Sequence, residues 1–151
     1  MNRIWIYQSK RPLANQEQEE ISNALQAFVT RWAAHNVKLD ARFEIRHSHF
    51  IILSVNQEQV MASGCSIDDS VRFMQALDNQ YGLSLFDRQQ MAFVDETGQI
   101  QVCGLNEIGA LYQSGQLSDQ TPIFNNTIQD AEALENTWQV PFQESGYVMF
   151  K

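Results

Sequence analysis

The sequence predicts an α+β protein, because two kinds of periodicity alternate along the chain. Apolar and polar residues alternate with period two in residues 41–47, and residues 3–9 and 49–55 are apolar at both sets of alternate positions, as in covered β-strands. Apolar residues recur at helical spacing in residues 16–35 and 66–81. With a further strand at 90–95, the order β-α-β-β-α-β is that of a ferredoxin-like, split βαβ fold. Right-handed crossovers then place both helices on one face of an antiparallel sheet. The alternative is an α+β layout with the same elements in another strand order.

Composition narrows the class of protein further. The chain has 151 residues, 44% of them hydrophobic, so it is long enough to bury a core as one domain. Within that domain, residues 1–103 are the expected α+β core and residues 104–151 a helical C-terminal extension. The net charge of −8 argues against partners such as nucleic acid or an anionic membrane, because both require clustered lysine and arginine.

The distribution of apolar residues and cysteines also predicts the cellular compartment. No apolar run approaches the roughly 20 residues of a membrane span, and the first residues enter a strand pattern without the layout of a signal peptide. Cys65 and Cys103 belong to no CxxC pair and make no disulfide framework. We therefore expect a cytoplasmic protein with reduced thiols, without a cofactor fingerprint and without a metal site.

Both long helices carry recognisable end signals. Asn15 is a plausible N-cap for residues 16–35, whose first turns hold glutamates that suit the helix dipole, and His35 suits the same dipole at the other end. For residues 66–81, Ser66 with Asp69 three positions later resembles a capping box, and Gly82 is a good terminator.

Short loops predict two hairpins. His47-Ser48-His49 joins 41–47 to 49–55, and the second of these strands, apolar on both faces, is expected in the interior of the sheet. Glu96-Thr97-Gly98 joins 90–95 to 99–103. The remaining predicted elements are a helix at 107–114 between Asn106 and Gly115, an extended segment at 122–124, a helical segment at 131–138 after Asp130, and a last strand at 147–150.

The run Ser63-Gly64-Cys65-Ser66-Ile67-Asp68, continuing through Ser70-Val71-Arg72-Phe73-Met74, resembles a family of small uncharacterised bacterial proteins. Further similar pieces are Asn2-Arg3-Ile4-Trp5-Ile6-Tyr7-Gln8-Ser9, Leu85-Phe86-Asp87-Arg88, Phe124-Asn125-Asn126 and Trp138-Gln139-Val140-Pro141. Some members of such families are labelled ABC transporter ATPases. That chemistry requires GxxxxGK[ST], in which backbone N–H groups and a lysine hold phosphates, and none of the seven glycines begins such a motif. We therefore reject the label, and the resemblance implies no particular activity.

The same SGCS run holds the candidate reactive group. Cys65 lies beside a predicted helix N-terminus, where the dipole and free N–H groups lower a thiol pKa and attract anions, while Ser63, Gly64 and Ser66 supply a close backbone approach. Two acidic residues in the following turn, Asp68 and Asp69, oppose a thiolate or a phosphate. The alternative is that Cys65 is a small apolar residue of the core.

Two further groups are candidates for chemistry. In the turn around Ser48, His47 or His49 is a candidate base for Cys65. Arg88 or Arg46 is a candidate anion clamp. Asp87-Arg88 is a candidate substrate clamp. The competing interpretations are a surface turn for the histidines and a structural ion pair or cap for Asp87 and Arg88.

Two classes of function follow. The first is a non-catalytic cytosolic binding or regulatory module with an unidentified protein or small-molecule partner, self-associating as a possible homodimer through a sheet edge or face. The second is a thiol-dependent enzyme or a redox-sensitive protein that uses Cys65. Binding of single-stranded nucleic acid is disfavoured, because the strands around Phe43 and Phe50 lack the basic and aromatic RNP pattern.

Overall fold

The computed structural model describes residues 2–151 as a mixed α/β protein with antiparallel sheets and four α-helices. The strands are β1 (Asn2–Gln8), β2 (Ala33–Ala34), β3 (Val37–Lys38), β4 (Asp40–Arg46), β5 (Phe50–Asn56), β6 (Gln90–Val94), β7 (Ile100–Gly104), β8 (Pro122–Phe124) and β9 (Gln139–Pro141). The helices are α1 (Asn15–Arg31), α2 (Gly64–Tyr81), α3 (Ile108–Ser114) and α4 (Ala131–Asn136).

The chain is divided into two compact units. The first runs to Phe86 and includes Gln129–Glu132, and the second comprises Asp87–Ile128 and Ala133–Lys151. This boundary differs from the one expected between residues 103 and 104. A single domain over residues 1–151 stays a prediction.

The first unit is built on a three-stranded antiparallel sheet with the order β1-β5-β4. The prediction that residues 49–55 form an interior strand is confirmed, because β5 pairs with β1 on one side and with β4 on the other. Its residues Ile51, Leu53 and Val55 share one core with the buried residues of α1 and α2. Both helices therefore lie on the same face of the sheet, as expected.

Helix α1 is shorter than predicted and begins one residue earlier. Its N-cap is Ala14 instead of Asn15, because the Glu17 carboxylate accepts the Ala14 N–H at 2.9 Å and supplies the cap from within the first turn. The helix ends at Arg31, and His35 lies in a β2–β3 hairpin that periodicity did not predict. His35 and Asn36 have positive φ values of 51° and 65°, as in tight hairpin turns.

The second unit contains a four-stranded sheet with the order β7-β6-β8-β9. The hairpin predicted around Gly98 is confirmed as β6 and β7. However, the ferredoxin-like pattern requires residues 90–95 beside β1, and β6 pairs instead with β7 and β8. A four-stranded ferredoxin-like sheet is therefore not confirmed.

The C-terminal elements also differ in part from expectation. Helix α3 ends at Gly115 as predicted, with φ of +84°, but a 3-10 turn over Leu105–Glu107 precedes it, so Asn106 is not its N-cap. The last segment, Gly146–Phe150, is a 3-10 helix and not a strand. The Ser145 hydroxyl accepts the Tyr147 N–H and begins that helix, an effect that short-range alternation does not reveal.

Candidate functional site

The SGCS run forms the first turn of α2, three residues earlier than the predicted cap. The Ser63 hydroxyl accepts the Ser66 N–H at 3.1 Å, and the Ser66 hydroxyl accepts the Ser63 N–H at 2.7 Å. This reciprocal pair is a capping box made of two serines, so Ser63 is the N-cap and Ser66 is the third helical residue. Asp69 pairs instead with Arg72, one turn further along the helix.

Cys65 is exposed on this turn, which contradicts the alternative that it fills the core. Gly64 precedes it, and a Cβ built on Gly64 has no neighbour within 4 Å. Ser66, in contrast, is buried, and its carbonyl oxygen accepts the indole N–H of Trp32. The thiol is therefore accessible on an anchored helix start.

The predicted histidine turn is a tight hairpin. His47 and Ser48 both have φ of 55°, and the His49 N–H donates to the Arg46 carbonyl at 3.1 Å. His49 is buried, and its ring Nδ1 donates to the His47 carbonyl at 3.2 Å. Burial lowers the pKa of His49, which favours the neutral form of its ring.

The structure does not bring Cys65 and the histidines together. The hairpin precedes β5 and the SGCS run follows it. The two ends of β5, a strand of seven residues, are roughly 20 Å apart. Helix α1 shows the same separation. Near its start Gln18 binds the Ser48 hydroxyl at 2.9 Å, and at its end Trp32 binds Ser66, with about 21 Å of helix between the two contacts.

The other predicted site residues, Arg46, Asp87 and Arg88, lie in or beside local turns of the chain. Arg46 belongs to the histidine turn and pairs with Glu44 at 3.0 Å. Asp87 accepts the Gln89 N–H at 2.8 Å, so its carboxylate closes a local turn, as in the competing interpretation of a cap. Arg88 is exposed beside it.

The second unit contains a cavity that the sequence reading missed. It has a volume of about 640 Å³ and lies between the β6–β7 hairpin and α3. We call it the acidic cavity. Its lining residues are Phe93, Asp95, Glu96, Thr97, Gln101, Val102, Cys103, Glu107, Leu111, Ser114, Gly115 and Gln116. No lysine or arginine is among them, and three are carboxylates.

Hydrogen bonds hold two of those carboxylates in place. Asp95 accepts from the Thr97 hydroxyl at 2.6 Å and from the Gln101 amide at 2.9 Å, which lowers its pKa to about 2. Glu107 accepts the Gly104 N–H at 2.9 Å. Glu96 is exposed at the hairpin tip. The cavity therefore carries negative charge at neutral pH.

The thiol that lines this cavity is unsuited to nucleophilic catalysis. Burial raises the pKa of Cys103 to about 11, and the Glu107 carboxylate adds to the rise. At neutral pH the group stays a thiol, whereas the thiolate is the nucleophile. Cys103 instead belongs to the apolar part of the lining, with Phe93 and Leu111.

Only one sequence signal pointed toward this cavity. Glu96 begins the predicted hairpin turn directly after Asp95, but a polar turn is expected in any hairpin. The cavity is lined both by the hairpin and by α3, which follows it along the chain. Periodicity within each segment does not reveal that the two elements meet.

Comparison with known proteins does not assign the chain to a family. No protein-family profile, curated protein or solved structure matches it. Within residues 2–151, no helix is long and apolar enough to cross a membrane. The same part of the chain holds no group of three or more histidine, cysteine or acidic residues able to hold a metal ion.

Proposed function

We propose that the protein is a non-catalytic cytoplasmic binding module whose ligand occupies the acidic cavity. The observation that supports this proposal is the combination of apolar lining residues with a carboxylate rim and no cationic side chain. Ligand sites in proteins are concave, largely apolar and provided with a few fixed polar groups.

The chemistry of the lining favours a cationic ligand. Asp95 and Glu107 are held by the backbone and side chains of their own turns, so they present charge without reorganising. A lysine or arginine side chain of a partner would place its methylene stem on Phe93 and Leu111 and its charged end among the carboxylates. An anionic ligand would meet repulsion at the same rim.

Calorimetric titration with a tetra-arginine peptide, compared with tetra-glutamate, tests this proposal. Only tetra-arginine is expected to bind. Glu96→Arg and Gln116→Arg each place a cation on exposed rim positions and are expected to weaken binding roughly tenfold or more, about 1.4 kcal/mol. Glu19→Arg on exposed α1 makes the same charge change as Glu96→Arg and a larger one than Gln116→Arg, so it is the control for net charge and should leave binding unchanged.

Two outcomes would contradict the proposal. If both rim variants bind tetra-arginine as well as Glu19→Arg does, the peptide responds only to net charge. If neither peptide binds at low salt, the acidic cavity is not a site for cations.

The exposure of Cys65 supports a second candidate, a thiol-dependent or redox-sensitive protein. The first turn of α2 also brings the helix dipole to the thiol, although Asp68 and Asp69 oppose it. Because Cys65 lies far from His47 and His49, a reaction at the thiol would have to proceed without either of these histidines as its base.

Alkylation by iodoacetamide across pH, in a Cys103→Ser background, tests the second candidate. If Cys65 serves chemistry, the pH at which its alkylation rate is half-maximal should lie well below the usual thiol pKa of about 8.5. A midpoint at or above that value leaves an accessible but ordinary cysteine and rules out the candidate. Mass spectrometry of the peptide containing residue 65 identifies the modified group.

We further infer that the first unit is a ferredoxin-like arrangement without its fourth strand. The order β1-β5-β4 and the common face of α1 and α2 support this relationship. The relationship to the small bacterial proteins that share the SGCS run is likewise a proposal.

A further inference from the structure

The two edges of the first sheet differ in whether another segment of the chain pairs with them. On the β1 edge, the Ile4 N–H donates to the Gln129 carbonyl at 2.9 Å, and Arg3 forms an antiparallel bridge with Asp130. On the other edge, β4 pairs with β5 alone, and nothing within residues 2–151 forms a strand on its outer side. An uncovered strand edge is a template for pairing with another chain.

The outer strand has a regular charge pattern. Asp40, Arg42, Glu44 and Arg46 alternate in sign along one face of β4, and the first three are exposed. The other face packs on the core through Ala41, Phe43 and Ile45. The strand contains no proline, so every residue has a backbone N–H.

This pattern is complementary to itself in one antiparallel register. If two copies of β4 pair about a two-fold axis at Phe43, Asp40 lies opposite Arg46 of the second copy and Arg42 lies opposite Glu44. Each opposite-charge pair occurs twice by symmetry, as an isologous dimer requires. Phe43 meets Phe43 on the other face, and aromatic and opposite-charge cross-strand pairs both stabilise sheets.

Neighbouring registers are unfavourable, because like charges directly opposite each other destabilise a strand pair. A shift of the pairing by two residues in one direction places Arg42 opposite Arg42 and Asp40 opposite Glu44. A shift by two in the other direction places Glu44 opposite Glu44 and Arg42 opposite Arg46. Shifts by one bring the charged face of one copy onto the apolar face of the other. In a parallel pair with β4 in register, each charge would meet its own kind.

We propose that β4 is a homodimer interface, at which two copies pair antiparallel about Phe43 and join their three-stranded sheets. The existing contact between Arg46 and Glu44 is compatible with it, because each carboxylate can accept from two guanidinium groups. The competing role of a charged edge strand is to prevent association. The interface lies on the first unit, so the proposal does not depend on the acidic cavity.

Sedimentation equilibrium across a concentration series at low salt tests the interface. The wild-type chain should show a monomer–dimer equilibrium. Arg42→Glu and Glu44→Arg each turn two attractive pairs into repulsive ones and should raise the dimer Kd roughly tenfold or more. The double variant with both changes restores opposite charges in the same register and should return the Kd close to that of wild type.

Each result decides the question. Rescue by the double variant supports the register, because nonspecific effects of charge are not reversed by a second reversal. A wild-type chain that stays monomeric at every concentration overturns the proposal and assigns the charges to edge protection. A dimer that is indifferent to both single variants also overturns it, because the interface must then be another surface. Circular dichroism confirms that the exposed substitutions leave the fold intact.

Discussion

The indole Nε1 of Trp32 donates a hydrogen bond of 2.7 Å to the backbone carbonyl oxygen of Ser66. Both residues are buried, and the bond joins the end of α1 to the first turn of α2. This contact anchors the turn that exposes Cys65, so the position of the thiol depends on a residue far away in sequence.

Replacing that indole should lower stability. We expect Trp32→Phe to lower the free energy of unfolding by about 1–3 kcal/mol, through loss of a buried hydrogen bond and a partly empty ring volume. Urea unfolding followed by circular dichroism measures it. Trp5→Phe, at a half-buried position, is the control and should cost less. Equal losses in the two variants would contradict the role of the bond to Ser66.

The observed capping box, Ser63 with Ser66, and the one expected from the sequence, Ser66 with Asp69, predict different stability losses on mutation. Ser63→Ala removes the acceptor for the Ser66 N–H and should cost about 1 kcal/mol. Asp69→Ala removes the side chain that the sequence assigned to the box but that pairs with Arg72 at the surface. It should cost less than about 0.5 kcal/mol. Urea unfolding compares the two, and the reverse order would restore Ser66 as the cap.

Glu17 predicts a pH dependence of stability. Hydrogen bonds from Arg11, at 2.7 and 2.8 Å, and from the Ala14 N–H lower the pKa of Glu17 from 4.5 to about 2. Because the folded pKa lies below the unfolded one, this contribution is complete above pH 4.5 and is lost as the pH falls toward 2.

We therefore expect Glu17→Gln to lower stability above pH 4.5, by about 1 kcal/mol after allowance for solvent screening, and to flatten the decline below it. Thermal unfolding between pH 2 and 7 measures both effects. Glu19→Gln removes an equal charge from an exposed position of the same helix and should preserve the wild-type profile. A parallel decline for wild type and Glu17→Gln would refute the assignment.

Two glycines at opposite ends of α2 should respond differently to alanine. Gly82 ends the helix with φ of +64°, where an alanine costs about 1–2 kcal/mol. Gly64 is in the first turn with open space around it, so Gly64→Ala should be neutral or stabilising by up to about 1 kcal/mol. Thermal unfolding tests the pair, and a large loss in Gly64→Ala would mean that the SGCS turn requires a glycine.

Much of the first unit was predictable because its signals are local. The double-faced apolar pattern of residues 50–53 predicted an interior strand, and Gly82 predicted the end of α2. The start of α2 was predicted within three residues, although two serines and an aspartate at suitable spacings made the choice of cap ambiguous. The β2–β3 hairpin was missed because two-residue strands carry no periodicity.

The candidate site was less predictable, because it depends on which segments meet. Cys65, His47 and Arg88 each have a residue type suited to chemistry, but their spacing along the chain contains no distance in space. The acidic cavity was missed for the same reason, since its lining comes from a hairpin and a helix that carry ordinary patterns.

The sequence by itself determined the alternation of strands and helices, the amphipathic faces of α1 and α2, and the charge order along β4. These properties are periodic, and a few neighbouring residues suffice to produce them. Only the tertiary structure decided that β6 pairs with β8 instead of β1, and that the thiol and the histidines lie at opposite ends of β5. The physical reason is that strand pairing is a long-range competition, in which backbone groups on several edges offer nearly equivalent hydrogen bonds and the packing of whole elements selects among them.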